Sequence, residues 1–343
     1  MKIWSGSISL PAGVNKQACF GPDEAMDIET CARLCKELDI EYRVIDLSTE
    51  YETYVLGYFR KEYLAGRTPN PCIMCNSELK FGFLIQRAEA QGLHFDYFAT
   101  GHYARVSVDR DGQARLRSAL DPAKDQSYFL YRLGPDKLSK ILFPLGELTK
   151  SQVRDIAREL RLEVADKAES QDFIAGGDYS PLFEGRKVEA GDIVDTEGRI
   201  LGRHRGLPYY TIGQRRGLGI SLPGLEGGEP EPFYVLALDP ERNRVVVGPN
   251  RGLFAHGLLA SEFVSYERAG SAPRHCLAKI RQNHKPAPCT FEIVQGVARV
   301  RFDECQRALA PGQSFVLYDS EGIVLGGGII ERTLDEDGTA DQA

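Results

Sequence analysis

From Gly191 onward the chain is written in strands and turns. Apolar and β-branched runs at Phe233 to Leu238, Arg244 to Val247, Thr290 to Val294 and Val297 to Phe302 alternate with Gly- and Pro-rich stretches, which predicts a β-barrel or β-sandwich. The first half has a different grammar. Pro22-Asp23-Glu24 marks a helix start, with Pro at the first position and acids beside the positive dipole end. Ile28, Cys31, Ala32, Cys35 and Leu38 then share one face, so the two thiols are expected in the core. Tyr42 to Leu47 predicts a short strand, Glu50 to Leu64 an amphipathic helix, Leu79 to Gln91 another, Tyr97 to Thr100 a buried strand and Lys150 to Leu160 a further helix. Alternation of this kind over residues 1 to about 180 predicts a doubly wound α/β sheet. Leu222 to Pro232 is expected as a surface loop, Tyr266 to Pro273 as a linker between two small β domains, and the acidic stretch 334–343 as a disordered tail.

Composition narrows the function classes. At 343 residues and 42% hydrophobic content the chain can bury two or three cores. No run approaches the roughly 18 apolar residues of a membrane span, and Met1 to Gly13 lacks the apolar segment of a secretion signal, so a cytoplasmic protein with no membrane partner is expected. The net charge of −7 argues against blanket coating of nucleic acid, leaving local basic patches to meet any such partner. Eight cysteines spread along the chain fit a reducing compartment better than a disulfide framework.

The sharpest local feature is Asn70-Pro71-Cys72-Ile73-Met74-Cys75-Asn76, a CxxC expected in a loop just before a helix. A thiol near a helix N-terminus has its thiolate favoured, which suits a nucleophile, a metal ligand or a persulfide carrier; two packed thiols are the plain alternative. Cys19, in an expected loop, is a candidate third ligand. Ala99-Thr100-Gly101-His102-Tyr103 sits where an α/β sheet places ligands, at a strand's carboxyl edge, with His102 either an acid–base group or a packed imidazole. Lys124-Asp125-Gln126-Ser127 either touches phosphate or opens a helix. Arg199, Arg203, His204, Arg205, Arg215 and Arg216 surround Tyr209 and Tyr210 as an RNA-contacting surface or a salt-bridged face. Lys279 to Lys285 is expected as a strand presenting cations and amides on one side.

In combination these motifs are recognisable. Gly66 to Asn76 with Lys80-Phe81-Gly82, Ala99 to Arg105, Lys124 to Leu130, Phe143 to Glu147, Glu169 to Asp172, Tyr210 to Gly219, Lys279 to Pro288 and Gly326 to Ile330 together resemble, in order, the tRNA-specific 2-thiouridylase family, MnmA. The resemblance implies an α/β fold whose N-terminal doubly wound sheet is a nucleotide α-hydrolase domain of the PP-loop ATPase kind, over 1–182. It further implies a small central domain over 183–250 and a C-terminal β-barrel over 251–333. It implies use of ATP, with Mg2+, to adenylate the 2-oxygen of the wobble uridine, U34, in tRNAs for Lys, Glu and Gln, followed by replacement of that oxygen with sulfur from a donor protein or sulfide. By resemblance Cys75 is the nucleophile, Gly101 contacts ATP, Asn70 and Pro71 lie at the target base, and Lys124, Asp125, Gln126, Arg281 and Gln282 meet tRNA.

Three departures qualify the resemblance. The Arg281-Gln282 pair stands where some members have Arg-Tyr. No cysteine follows Glu169-Ser170, where many members carry the persulfide, whereas position 72, Asp in those members, is Cys. We therefore expect a variant site, either Cys19, Cys72 and Cys75 holding a [4Fe-4S] cluster whose open iron binds hydrosulfide, or a Cys72/Cys75 persulfide and disulfide relay. The Ser-Gly-Gly-x-Asp-Ser phosphate loop is absent, and Met1-Lys2-Ile3-Trp4 resembles the family's second strand. An incomplete sheet start is expected, from translation assigned at an internal Met, a loop on another polypeptide, or a catalytically inactive chain. The edge so exposed would favour aggregation. The alternatives to an enzyme of this family are a non-catalytic tRNA- or cluster-binding protein, and a ligase acting on a small molecule.

Overall fold

The structure is a computed structural model that describes residues 18–20, 24–162, 165, 172–174, 179–220, 231–266 and 273–339, without the side chains of 18–20, 24–26 and 172–174. The chain divides into two compact units, Met1–Tyr58 with Pro71–Glu184, and Phe59–Asn70 with Gly185–Ala343.

In the first unit, strand β1 (Ala18–Phe20) precedes a helix over Glu24–Glu37. The face expected to be core is only partly covered, with Cys31 exposed and Cys35 half-buried. The expected strand 42–47 is an extended segment without a ladder; it buries Ile45 and Leu47 against Leu84 and Ala88. A continuous helix follows over 48–64, π-helical at Glu52–Leu56, its residues from Phe59 onward belonging to the second unit. The next helix, 71–90, begins at Pro71, eight residues earlier than the periodicity predicts, and is π-helical over Cys75–Phe83. Proline suits a helix start because its missing N–H would be unbonded there anyway.

Strands β2 (Phe98–Ala99), β3 (Ala104–Val108), β4 (Ala114–Ser118) and β5 (Ile141–Leu142) lie between that helix and the one over Lys150–Glu159. A capping box of Thr149 and Gln152 opens the latter. β2 pairs in parallel with β5, and β1 in parallel with β6 (Asp172–Ile174). Parallel pairs joined through helices are the α/β pattern expected of this half.

In the second unit, β7 (Gly191–Val194), β8 (Ile200–His204), β9 (Phe233–Asp239) and β10 (Arg244–Pro249) form one sheet in the order β8-β7-β10-β9. Its core is Ile193, Val235, Val245 and Val247 with Leu207 and Tyr210. Strands β11 (Phe254–Ser265), β12 (Arg274–Lys279), β13 (Ala287–Val294), β14 (Val297–Arg307), β15 (Ser314–Tyr318) and β16 (Val324–Leu334) close into a barrel in the order β11-β14-β13-β12-β15-β16. Leu258, Ala260, Val300, Phe315, Leu317 and Ile330 fill it. Inward and outward residues alternate in β14, where Ala298, Val300 and Phe302 are buried, whereas β15 is buried along its whole length.

The expected linker 266–273 falls inside this barrel, between β11 and β12, so the two β regions part near residue 250 instead. The expected loop 222–232 lies outside the described residues except at 231–232. In the expected tail, Leu334 closes β16 and 335–339 make a turn held by Asp335, with Arg299 and Arg301 donating to the carbonyls of Gly338 and Glu336 at 2.6 and 2.7 Å. Residues 340–343 lie outside the described part.

Candidate active site

The thiols lie on the helix 71–90 and not in a loop before it. Cys72 falls in its first turn and Cys75 at the residue where α-helical bonding gives way to π-helical bonding. Both are half-buried thiols. Their neighbours explain the placement: Pro71 and Ile73 are buried, and Asn76, at 4% exposure, donates from Nδ2 to the Phe129 carbonyl at 3.3 Å. The wider π turn brings Gly82 under the Ser77 carbonyl, where an added Cβ would sit at 3.2 Å. π segments inside α-helices recur at functional sites.

The same helix reaches the second feature. Phe81, 2% exposed, packs edge-on against Phe98 of β2 and Phe143, which locks the helix to the sheet. Its neighbour Lys80 then lines a cavity of about 460 Å³ with Phe98, Ala99, Thr100, Gly101, His102 and Gln126. The cavity opens at the carboxyl edge of β2, the place an α/β sheet offers a ligand. Gly101 is exposed, and an added Cβ there would meet nothing closer than Leu145 at 3.8 Å. Gln126 is held by two bonds with Tyr103, its N–H donating to the Tyr103 carbonyl at 2.8 Å and its Oε1 accepting the Tyr103 N–H at 2.9 Å.

His102 is a packed imidazole. It is 9% exposed, stands against Phe81 and Phe143, and shares a 2.8 Å hydrogen bond between Nδ1 and Thr100 Oγ1. Burial, aided by the Lys80 cation, pushes its pKa down to about 3. It is therefore neutral at pH 7, and Lys80 is the cation among the lining residues.

A measurable consequence follows for stability. The unfolded imidazole takes a proton below about pH 6.5 while the folded one stays neutral until about 3, so the unfolded state binds more protons between those values. Stability therefore falls as pH drops through that window, by about 1.4 kcal/mol per pH unit and on the order of 2 kcal/mol by pH 5. Denaturant melts at pH 7.5 and 5 should show this loss in wild type, and His102→Phe, which keeps the ring packing without the titration, should show a shallower dependence.

The remaining sequence candidates separate. Asp125 is 7% exposed, and its carboxylate accepts from the Ala119 and Ser127 N–H groups and the Ser127 hydroxyl at 2.9–3.2 Å, organising the loop before the 3-10 turn Ser127–Leu130. Lys124 is half-buried beside it. Lys279 to Lys285 is not a strand. β12 ends at Lys279, which is buried, and the chain reverses through 280–286 to reach β13, leaving Arg281 exposed and Gln282 half-buried in the hairpin loop. The basic cluster around Tyr209 also divides. His204 is 1% exposed, bonded to the Asn243 carbonyl and accepting from the Gly206 N–H, and Tyr210 is in the core. Arg199 is paired with Asp195 at 2.6 Å, whereas Arg203, Arg205, Arg215 and Arg216 are exposed, Arg205 over the Tyr209 ring.

Asn70 and Pro71 fall on either side of the division between the two units. Cys19 lies in strand β1 and not in the expected loop, because its backbone pairs with β6; its side chain is outside the description. Among the described residues no group of three His, Cys, Asp or Glu side chains could hold a metal ion, and no helix is long and apolar enough to cross a membrane. What sequence reasoning missed is Lys80 as a cavity residue; its signal was the Lys80-Phe81-Gly82 triplet, with one residue for each surface of the helix.

Comparison with known proteins agrees with this architecture. Residues 1–175 match the model of a tRNA methyl transferase HUP domain, 182–249 that of a tRNA methyl transferase PRC-barrel domain and 255–330 that of an aminomethyltransferase β-barrel domain. A HUP-type α/β domain followed by two β-rich domains is thus the class of enzyme that fold and site define. The chain is 40% identical to the tRNA-specific 2-thiouridylase MnmA of Geotalea uraniireducens (strain Rf4), over 98% of this chain and 88% of that protein. It is 45% identical to that of Roseiflexus castenholzii (strain DSM 13941 / HLO8), over 89% and 85%, and 40% identical to that of Geobacter metallireducens (strain ATCC 53774 / DSM 7210 / GS-15), over 98% and 90%. The chain belongs to the tRNA-specific 2-thiouridylase family.

Proposed function

We infer that this chain is a tRNA-uridine 2-sulfurtransferase that activates the 2-oxygen of the wobble uridine with ATP and delivers sulfur through Cys75. The observation that carries this reading is the helix 71–90, which bears both thiols and, about one turn beyond Cys75, the cation lining the cavity. The donor set supports a nucleotide there: an exposed glycine backbone at Gly101, the Lys80 ammonium and the Gln126 amide at a strand's carboxyl edge. ATP supplies the activation, turning a poor oxide leaving group into AMP; Mg2+ accompanies it as part of that substrate.

The thiols do the rest in the relay reading. The terminal sulfur of a Cys75 persulfide attacks C2, the C2–O bond breaks and AMP leaves. The Cys72 thiolate then attacks the Cys75 sulfur of the C2–S–S–Cys75 link, so that 2-thiouridine departs and a Cys72–Cys75 disulfide forms. The pair is reset either by a dithiol that reduces the disulfide, after which the Cys75 thiolate takes the outer sulfur of a donor persulfide and the donor leaves as a thiol, or by hydrosulfide attacking the Cys75 sulfur of the disulfide, which gives the Cys75 persulfide and releases the Cys72 thiolate. In the cluster reading Cys72 and Cys75 would be two of the three thiols that hold a [4Fe-4S] cluster, with Cys19 of β1 as the third and an open iron to bind hydrosulfide. Asn70 and Pro71 are proposed at the base, with Lys124, Asp125, Gln126, Arg281 and Gln282 toward tRNA. Of these the exposed Arg281 suits a phosphate directly, and Asp125 acts by shaping the loop that carries Lys124 and Gln126.

The test is nucleoside mass spectrometry after incubating the chain anaerobically with unmodified tRNAs for Lys, Glu and Gln, ATP, Mg2+ and a sulfide or persulfide donor. The expected result is 2-thiouridine that requires ATP. Tight tRNA binding without product under every donor condition would support the non-catalytic binding protein instead.

A further inference from the structure

Strands β12 and β13 of the barrel, both in the second unit, carry two thiols face to face. Cys276 and Cys289 are direct partners in the antiparallel register, so both side chains leave the same face of the sheet, and their Sγ atoms stand 3.6 Å apart as free thiols. Residues directly opposite each other in such a pair have Cα atoms about 4.5–5.5 Å apart, inside the range of about 4.4–6.8 Å that a disulfide spans. Side-chain rotation alone can therefore bring the sulfurs to a bonding distance of about 2 Å. The backbone is already placed for the bond.

The two thiols are not equivalent. Cys289 is 1% exposed and belongs to the barrel core with Phe302, its partner on β14. Cys276 is half-buried and packs at the edge of that core, with the exposed Arg274 two residues before it on the same face of β12. A hydrogen bond from the Cys289 thiol holds the Cys276 thiol below its usual range; burial opposes this and the Arg274 cation assists it. The same bond, together with burial, pushes the Cys289 thiol up. One sulfur is thus the more accessible nucleophile and the other a protonated thiol directly behind it.

We propose that Cys276 and Cys289 form an oxidation site: hydrogen peroxide converts this dithiol reversibly into a cross-strand disulfide that staples the hairpin of β12 and β13. The Cys276 thiolate attacks one peroxide oxygen, the O–O bond breaks, hydroxide leaves and Cys276 becomes a sulfenic acid. The Cys289 sulfur then attacks the Cys276 sulfur, the S–O bond breaks, and the oxygen departs as water with the Cys289 proton. The dithiol is oxidised by one electron pair and the peroxide is reduced to water. A dithiol reductant restores both thiols by exchange. Such a transient bond suits a reducing compartment, where lasting disulfides are rare. The ring it closes runs from 276 to 289 and so encloses the loop 280–286, with Arg281 and Gln282. None of this depends on sulfur transfer at Cys72 and Cys75.

The experiment uses the full chain, with hydrogen peroxide as the probe. After graded exposure, free thiols are blocked with iodoacetamide and tryptic peptides are mapped by mass spectrometry without reduction. Cleavage after Lys279 and Arg281 separates the two cysteines, so the disulfide is read as two joined peptides, distinct from any that carry Cys72 and Cys75. The expected result is that joined pair, lost again on treatment with dithiothreitol. Oxidation should also raise the melting temperature by about 5 °C or more, the scale for a ring of this size, and slow amide exchange in 280–286.

Cys289→Ala removes the resolving thiol, so dimedone should trap a sulfenic acid at Cys276. Cys276→Ala, at the edge of the core, should leave Cys289 unmodified by the same treatment. Cys305→Ala, which removes a different half-buried barrel thiol, should leave the joined pair unchanged. If peroxide oxidises Cys305 while Cys276 and Cys289 stay unlinked, or links them only in chains unfolded by denaturant, the two are packed core thiols and the proposal is overturned.

Discussion

Cys75→Ser is expected to reduce 2-thiouridine formation on the order of 10³-fold or more, because removal of a nucleophile leaves only binding and orientation to accelerate the reaction. tRNA affinity should be unaffected, since the half-buried Cys75 side chain adds little contact area. Cys72→Ser separates the mechanisms. In the relay it stops the second step, so that tRNA accumulates linked to the protein through C2–S–S–Cys75 and is released by an added dithiol; non-reducing gels read this directly. Cys19→Ala leaves the relay intact, whereas in the cluster reading Cys19→Ala, Cys72→Ser and Cys75→Ser each lower bound iron in anaerobic preparations. Full activity in Cys75→Ser would refute both.

The second large effect is on stability. Gly146 lies in the Phe143 to Glu147 motif with its Cα against the first residue of β3, and an added Cβ would be 1.8 Å from the Ala104 carbonyl oxygen and 2.8 Å from its carbon. Neither is the end of a flexible side chain, so β3 itself must move. Gly146→Ala is therefore expected to cost about 3 kcal/mol or more and to lower the melting temperature by on the order of 10 °C. The strand directly follows Gly101, His102 and Tyr103, so nucleotide affinity should fall with it. Gly134→Ala, where an added Cβ meets nothing within 4 Å, is the control and should melt close to wild type. Calorimetry on the two variants decides whether backbone approach, and not chain flexibility, is why position 146 is glycine.

Much of the fold was legible because local pattern and tertiary outcome agree. Val297 to Phe302 alternates and becomes part of β14, and Lys150 to Leu160 is periodic and becomes a helix. The failures have a common cause. Cys72 and Cys75 were expected in a loop because Asn70 and Pro71 punctuate like one; in the folded chain Pro71 is the first helical residue. Lys279 to Lys285 alternates like a strand, yet β12 and β13 must be joined by a reversal, and topology overrides the pattern. His204 and Tyr210 looked like surface chemistry, but a carbonyl from the distant turn before β10, that of Asn243, holds the one and the core around Val235 and Val245 takes the other. The site shows the same division. Cys72, Cys75 and Gly101 announce themselves by motif, whereas the neutrality of His102 depends on Phe81 and Phe143, and the partner of Arg67 is 264 residues away.

That separation carries a consequence for biosynthesis. The barrel closes only when β16 pairs with β11, and Glu331 on β16 holds the Arg67 guanidinium through two hydrogen bonds at 2.6 and 3.1 Å. A ribosome has therefore made nearly the whole polypeptide before Arg67 can be held. Nascent chains carry Arg67 for most of their synthesis without that partner, and a chain stopped short of Glu331 never acquires it. Closure of the barrel and capture of this early guanidinium are in this way a single late event in the making of the protein.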